Sequence, residues 1–333
     1  MDEERFLILR MGALGDIIHT LPAVAALRET FPRAEIHWLA DRKWLPILDG
    51  NPDVTSVMAI DRNDWRSVMA SVRQLRAAHC TTALDFQSLY RSAILARLSG
   101  APRRIGFDAR YAREAGAAFF YTSTVMPQRA HKVEHNLELV ESIGARPAEI
   151  RFPLQIAPDA QARVDQILTE STVKEFFVVS PGGGWGSKCW PAERYGALCR
   201  ALTERYGWRA VISFGPGERG LAETVQREAG SPQPLVELFT LAQLMALLRR
   251  AKLLVAGDTG PLHLASALGT PVVGLYGPTD PARNGPFSHR DIVVRNASPE
   301  ETTYRREKAP AASMLSITVE QALDAVARRL RTN

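Results

Sequence analysis

A chain of 333 residues is too long for one ordinary domain and fits two of about 150 residues each. Its 46% hydrophobic share excludes a disordered chain, no apolar run approaches the roughly 20 residues of a membrane span, and the start MDEERFLILRMG is unlike a signal peptide, so a cytoplasmic protein is expected. The net charge of +5 is modest, and the cysteines Cys80, Cys189 and Cys199 lack the spacing of a zinc site or a disulfide framework.

In the first half, strand-like runs at 6–10, 36–40, 54–60, 82–86 and 104–107 alternate with helical periodicity at 21–31, 64–79 and 89–98. Such alternation predicts a parallel, doubly wound α/β sheet. A helix over 133–143 closes this domain, and the proline-bearing stretch 146–158 reads as a linker. The domains are expected at 1–150 and 151–333. Beyond the linker the plan repeats, with strands at 176–180, 210–214, 253–256 and 272–276 and helices at 192–206, 218–229 and 241–250. A last helix is expected over 319–330, free to pack on either domain.

Each half carries glycine turns directly after strands: MGALGD at 11–16, PGGGWGSK at 181–188 and FGPGE at 214–218. In open α/β sheets ligands bind at the carboxyl ends of the strands, so two domains facing one another would enclose a cleft. The most informative stretch is 255–281, VAGDTGPLHLASALGTPVVGLYGPTDP, a strand–helix–strand unit. There Thr259 is placed to cap a helix, Gly260 lets a ligand approach the backbone, and Pro261 removes an N–H that would have had no partner. The remaining amides and the helix dipole favour a phosphate, although a plain βαβ crossover would use the same residues.

Asp16, in the turn after the first strand, reads as a helix N-cap or as a general base, and position alone favours the cap. Lys188 is one of six lysines and lies inside a phosphate-type loop, within reach of a group held by the amides of Gly182, Gly183 and Gly184. Glu218 suits ribose hydroxyls or a first helical turn; Phe239 suits base stacking or the core; His263 suits a ligand or packing. From 62 to 113 there are ten arginines, no lysine and three acids, which suits an acidic ligand, a membrane surface or a solvated face. No GxxxxGK[ST], HExxH or GxSxG sequence occurs, and no aromatic-interleaved basic stretch suggests nucleic acid.

Together, MGALGDIIHTLP, the loop through Lys188-Cys189-Trp190-Pro191 and GDTGPLHLASALGTPVVGLYGPTDP resemble glycosyltransferase family 9, the ADP-heptose:lipopolysaccharide heptosyltransferases. IIHTLPAV, LDFQSLYRSAILARLSG, AREAGAAFFY and HKVEHN are more similar to heptosyltransferase I than to II. The resemblance implies a GT-B fold of two Rossmann-like domains, acceptor on the first and nucleotide sugar on the second. It implies inverting transfer of heptose from ADP-heptose to the Kdo inner core of a lipid A precursor, with no metal or other cofactor. It makes Asp16 the catalytic aspartate and Lys188 the diphosphate lysine. Gly15, Gly183, Gly184, Glu218, Phe239, Asp258, Thr259, Gly260, Leu262 and His263 would serve the donor, and Arg62, Arg66 and Arg113 the acidic acceptor. The expected protein is a monomer on the cytoplasmic face of the inner membrane. A family member using another nucleotide sugar or acceptor, or a nucleotide-sugar-binding protein without turnover, are the alternatives. Two positions depart from relatives: Tyr304-Arg305-Arg306-Glu307 has no flanking cysteine, and glycines stand at 183 and 184 where hydroxyl side chains occur, leaving their contacts to backbone amides.

Overall fold

The computed structural model describes residues 4–332. They form two compact units divided between Gln155 and Ile156, and the change falls inside the proline-bearing segment 146–157, which has neither helix nor strand. The first unit runs β1 (Arg5–Leu9), α1 (Leu14–Thr30), β2 (Glu35–Asp41), β3 (Ser56–Ile60), α2 (Trp65–Ala77), β4 (Thr82–Asp85), α3 (Tyr90–Leu98), β5 (Arg103–Phe107), β6 (Ser123–Val125) and α4 (Lys132–Glu141). The second continues with α5 (Pro158–Glu170), β7 (Phe176–Ser180), α6 (Ala192–Tyr206), β8 (Arg209–Ser213), α7 (Arg219–Ala229), β9 (Leu235–Glu237), α8 (Leu241–Arg250) and β10 (Leu254–Gly257). It ends with α9 (Gly260–Ala267), β11 (Val272–Tyr276), α10 (Pro281–Asn284), β12 (Ile292–Arg295), α11 (Ala312–Leu315) and α12 (Val319–Arg331).

Both sheets have six strands, every pair parallel, in the orders β3-β2-β1-β4-β5-β6 and β12-β11-β10-β7-β8-β9. Read from its own first strand, each is the 3-2-1-4-5-6 doubly wound order. The central strands RFLIL and FFVVS are buried on both faces, as continuous apolar runs in a parallel sheet should be. Three strands escape the sequence reading: β6, β9 and β12. They have three, three and four residues and lie at or next to sheet edges, so they carry little alternation to detect.

A second difference concerns α1. Pro22 looks like a helix start, yet the helix begins at Leu14 and carries Pro22 inside it. Leu14, Ile17, Ile18, Leu21 and Val24 are all buried, and that burial offsets the missing amide. The terminal helix α12 docks within the second unit, on α6, β11 and β12. Thr318 caps it by accepting the Gln321 N–H, and Arg329 forms a buried ion pair with Asp291 at 3.1 Å. Trp190 donates its indole N–H to Ile317 O at 3.0 Å, so the tryptophan of the lysine loop also anchors the segment leading into α12.

Candidate active site

The loops after parallel strands gather at one sheet edge, and where the strand order reverses the neighbouring loops part and leave room for a ligand. In the first unit that reversal lies between β1 and β4. Gly12, in the turn after β1, has φ +152°, and a Cβ there would fall 2.6 Å from the Trp44 indole nitrogen. Only glycine lets the turn pass against that ring.

The structure corrects the capping role considered for Asp16. Ala13 is the N-cap position, and Asp16, two residues into the helix after Leu14, folds its carboxylate back so that Oδ2 accepts the Ala13 N–H at 3.3 Å. Its Oδ1 faces two cations, Arg10 Nη2 at 2.6 Å and Lys132 Nζ at 3.0 Å. Burial alone would raise this carboxyl, but the charges of Arg10 and then Lys132 outweigh it and hold Asp16 well below the usual carboxylate range.

Neither cation was singled out from the sequence, and each is positioned by surrounding structure. Arg10 is buried and donates to Phe86 O at 2.5 Å. The loop bearing Phe86 is ordered by Asp85, which accepts the Gln87 N–H at 2.9 Å, the Ser88 N–H at 3.1 Å and the Tyr121 hydroxyl at 2.8 Å. Gln87 in turn accepts the Met11 N–H at 2.9 Å, tying the loop after β4 to the turn after β1. Lys132 opens α4, where His131 Nδ1 accepts the Val133 N–H at 3.1 Å, and Asn136 donates to His19 O at 2.9 Å on α1. The HKVEHN run thus caps a helix, presents a lysine to Asp16 and bolts α4 to α1. A signal for both cations was present: Arg10 is a charge at the end of an apolar strand, and Lys132 is a rare lysine beside a cap.

Of the three arginines expected at the acceptor, Arg62 follows β3 and donates to Asp41 Oδ2 at 2.8 Å. Arg113 is exposed in the loop after β5. Arg66, in the first turn of α2, lines an open cavity of about 640 Å³ with Arg42 and Asp64. Arg62, Arg113 and Asp16 all follow strands of the first sheet and so share its carboxyl edge.

In the second unit the reversal lies between β7 and β10, and the loops after those strands carry Lys188 and Asp258. Lys188 Nζ and Asp258 Oδ2 form a short, buried ion pair. Asp258 Oδ1 also accepts from Asn284 Nδ2 at 2.9 Å and meets His263 Nε2 at 3.3 Å. Burial pushes the Asp258 carboxyl up, while the hydrogen bond from His263 and the charge of Lys188 pull it down further, leaving it well below its usual range. Thr259 occupies the N-cap of α9 but makes no side-chain cap bond, contrary to expectation; its buried hydroxyl has no hydrogen-bond partner among the described residues. Gly260 and Pro261 open the helix, and Gly269 follows it with φ +78°. Leu262 is fully buried.

The glycine loop lies beside these groups. A Cβ on Gly183 would sit 3.0 Å from Cys189 Sγ and 3.8 Å from Thr259 Cγ2, whereas Gly184 faces open space. Gly182 is walled by the Glu218 carboxylate, 2.1 Å from where its Cβ would be. Glu218 is the N-cap residue of α7 and accepts the Gly215 N–H at 2.7 Å. Phe239, nearly buried, follows β9 at the same carboxyl edge. Trp185 was not anticipated: Lys188 Nζ lies 4.0 Å and Arg306 Cζ 5.2 Å from its ring centroid. The segment bearing Arg306 is pinned to the loop, with Ser187 N–H donating to Glu307 O at 3.1 Å and Gly186 packed against Lys308 O.

One consequence is testable here. Gly182→Ala must displace the Glu218 carboxylate; were Glu218 to hold ribose hydroxyls, as the sequence leads one to expect, the KM for a nucleotide sugar should rise about tenfold with kcat little changed, the loss expected for one hydrogen bond to a charged group. Steady-state kinetics with varied donor would show it, and an unaltered KM would remove Glu218 from the donor site.

Two doubly wound parallel sheets of this order, one presenting an ion-paired carboxylate and the other a lysine beside the amino end of a helix, are the architecture of the GT-B fold. The model of glycosyltransferase family 9 (heptosyltransferase) matches residues 68–312, and the chain belongs to that family. The lipopolysaccharide core heptosyltransferase OpsX of Haemophilus influenzae is 28% identical over 291 residues, 86% of this chain and 83% of that one. The structure of a family 9 glycosyl transferase from Veillonella parvula gives a TM-score of 0.87 at 22% identity, covering 100% of this chain and 99% of that one. The Escherichia coli heptosyltransferase WaaC, solved with ADP, gives 0.76 at 25% identity, covering 98% of each. No helix among the described residues is long and apolar enough to cross a membrane.

Proposed function

We propose that this protein transfers heptose from ADP-heptose to the Kdo inner core of a lipid A precursor, with inversion and without a metal. The second unit holds the donor and the first the acceptor. The observation that carries the chemistry is Lys188, buried at the strand-order reversal against Asp258 and within the loop that faces the amino end of α9. A diphosphate bound there meets an ammonium group, the free N–H groups of the helix and the amides of Gly183 and Gly184. These fixed donors stabilise the charge that develops as the bond from the anomeric carbon to the diphosphate oxygen breaks. The leaving oxygen keeps the electron pair, the acceptor hydroxyl oxygen forms the new bond from the opposite face, and its proton passes to Asp16.

Held by two cations, Asp16 is a weak base at rest. A weak base suffices if the proton moves late, because a hydroxyl oxygen already bonding to carbon is strongly acidic. The low pKa keeps the carboxylate ionised throughout the neutral range. Lys132→Met removes one of the charges that hold it down, so the acid limb of the kcat/KM profile should move to higher pH. An unmoved limb, measured from acid to neutral pH, would separate Lys132 from the function of Asp16. The same depression makes a stability contribution that is complete above the unfolded carboxylate pKa of about 3.9 and is lost as pH falls toward the lower folded value.

The deciding experiment offers ADP-heptose, UDP-sugars and GDP-sugars in parallel with Kdo-lipid A. Turnover confined to ADP-heptose is expected. Turnover only with another nucleotide sugar would place the chain elsewhere in the family, and none with any donor would favour a binding protein.

A further inference from the structure

We infer that the helical layer formed by α2, α3 and the turn Ala115–Phe120 is a docking surface for an anionic phospholipid bilayer, and this inference rests on the reading above that the acceptor is a lipid. These three segments cover one face of the first sheet, because α2 packs on α3 and α3 on the turn. Arg76 Nε donates to Leu98 O at 3.0 Å, and the Tyr90 N–H donates to Glu114 at 2.5 Å, joining them into one layer. Their inward side is ordinary core: Val72, Leu75, Leu95 and Ala96 are buried in the cluster under the sheet.

The outward side is unlike a solvated helix face. On α2, Trp65 is 71% and Met69 47% exposed; on α3, Tyr90, Ile94 and Leu98, spaced four apart, are 49%, 41% and 37% exposed. Phe119 in the turn is 92% exposed. Interleaved with them are Arg66, Arg73, Arg76, Arg91 and Arg97, all exposed. None of the five makes a salt bridge among the described residues. The three segments contain no acidic residue, and the acids that flank them are spent on helix amides, Asp64 on the Arg66 N–H at 3.0 Å and Glu114 on Tyr90.

Aromatic and aliphatic side chains protruding among arginines that carry no carboxylate partner among the described residues match the bilayer interface. There the apolar tips enter the acyl boundary and the guanidinium groups remain at the phosphates. A nucleic acid would make no use of Ile94 or Leu98. The absence of acids matches the negative potential of a cytoplasmic leaflet, and an acceptor anchored in that leaflet would reach the first unit without leaving it.

The test uses the full-length protein and vesicles of phosphatidylcholine with and without phosphatidylglycerol, read by co-sedimentation. Wild type should bind only the anionic vesicles and lose binding as salt rises. Arg91→Ser/Arg97→Ser should weaken partitioning by about fivefold per arginine, and Ile94→Ser/Phe119→Ser should weaken it at every salt concentration. Both double variants should turn over a water-soluble acceptor without acyl chains as wild type does, and fall behind on acceptor embedded in vesicles. The inference is overturned if wild type ignores anionic vesicles, if both variants bind as tightly as wild type, or if sedimentation shows a dimer that either variant dissociates. If vesicles bind as described but wild type glycosylates neither acceptor form, the substrate reading fails and the surface stands.

Discussion

Lys188→Ala is expected to lower kcat by about two to three decades at saturating donor, the usual loss when one preorganised donor to a developing negative charge is removed. Three features set that size. Lys188 is buried with its neighbours, so its charge acts with little water between it and a diphosphate. It is held between Asp258 and the face of Trp185, so no reorganisation is needed when the leaving group forms. Finally, the amides at the start of α9 remain in the variant, which keeps the loss finite. Asp258 would lose its cation while keeping Asn284 and His263, and folding stability should fall by about 1–3 kcal/mol. Turnover measured beside a thermal melt separates the two effects. A folded variant within a few-fold of wild type would show that the helix amides alone carry the diphosphate.

Asp16→Asn is the second large effect. The amide keeps the shape and can still accept the Ala13 N–H, but it cannot take a proton, so kcat should drop by roughly 10²- to 10⁴-fold. The substitution also leaves Arg10 buried and Lys132 without their counter-charge. A stability loss of about 1–3 kcal/mol should accompany it. Lys132→Met distinguishes a structural from a chemical cause: it too breaks an ion pair, yet it should displace the pH profile while retaining most of the rate. Near-normal transfer by folded Asp16→Asn would exclude the base assignment.

Much of the architecture was legible without coordinates. β1, β7 and β10 are continuous apolar runs, and α2, α7 and α8 have clear helical periodicity. Their order alone implies parallel sheets. The start of α1 was misplaced because Pro22 imitates a first-turn proline, and only its tertiary burial shows that the helix continues through it. Asp16, Lys188 and Asp258 drew attention because they stand in or beside glycine turns after strands, while the family resemblance, not position, is what gave them roles. Lys132 and Asn284 were missed because the carboxylates they meet, Asp16 and Asp258, lie far along the chain, whereas Arg10 and Trp185 stand close in sequence to Asp16 and Lys188 and were passed over. Lys132 lies 116 residues from Asp16, and Lys188 lies 70 from Asp258.

By itself the sequence determined the α/β class, the existence of two α/β halves and the positions of the glycine turns after strands. Those properties depend on local periodicity and on backbone preferences within a few residues. Tertiary structure alone decided which charges meet, which acids are spent on helix ends, and where α12 docks. It also set five of the ten arginines between 62 and 113 into an exposed basic and apolar layer. The reason is physical: a side chain's electrostatic energy is set by its neighbours in space and by its depth from water, and pairing distant segments creates both.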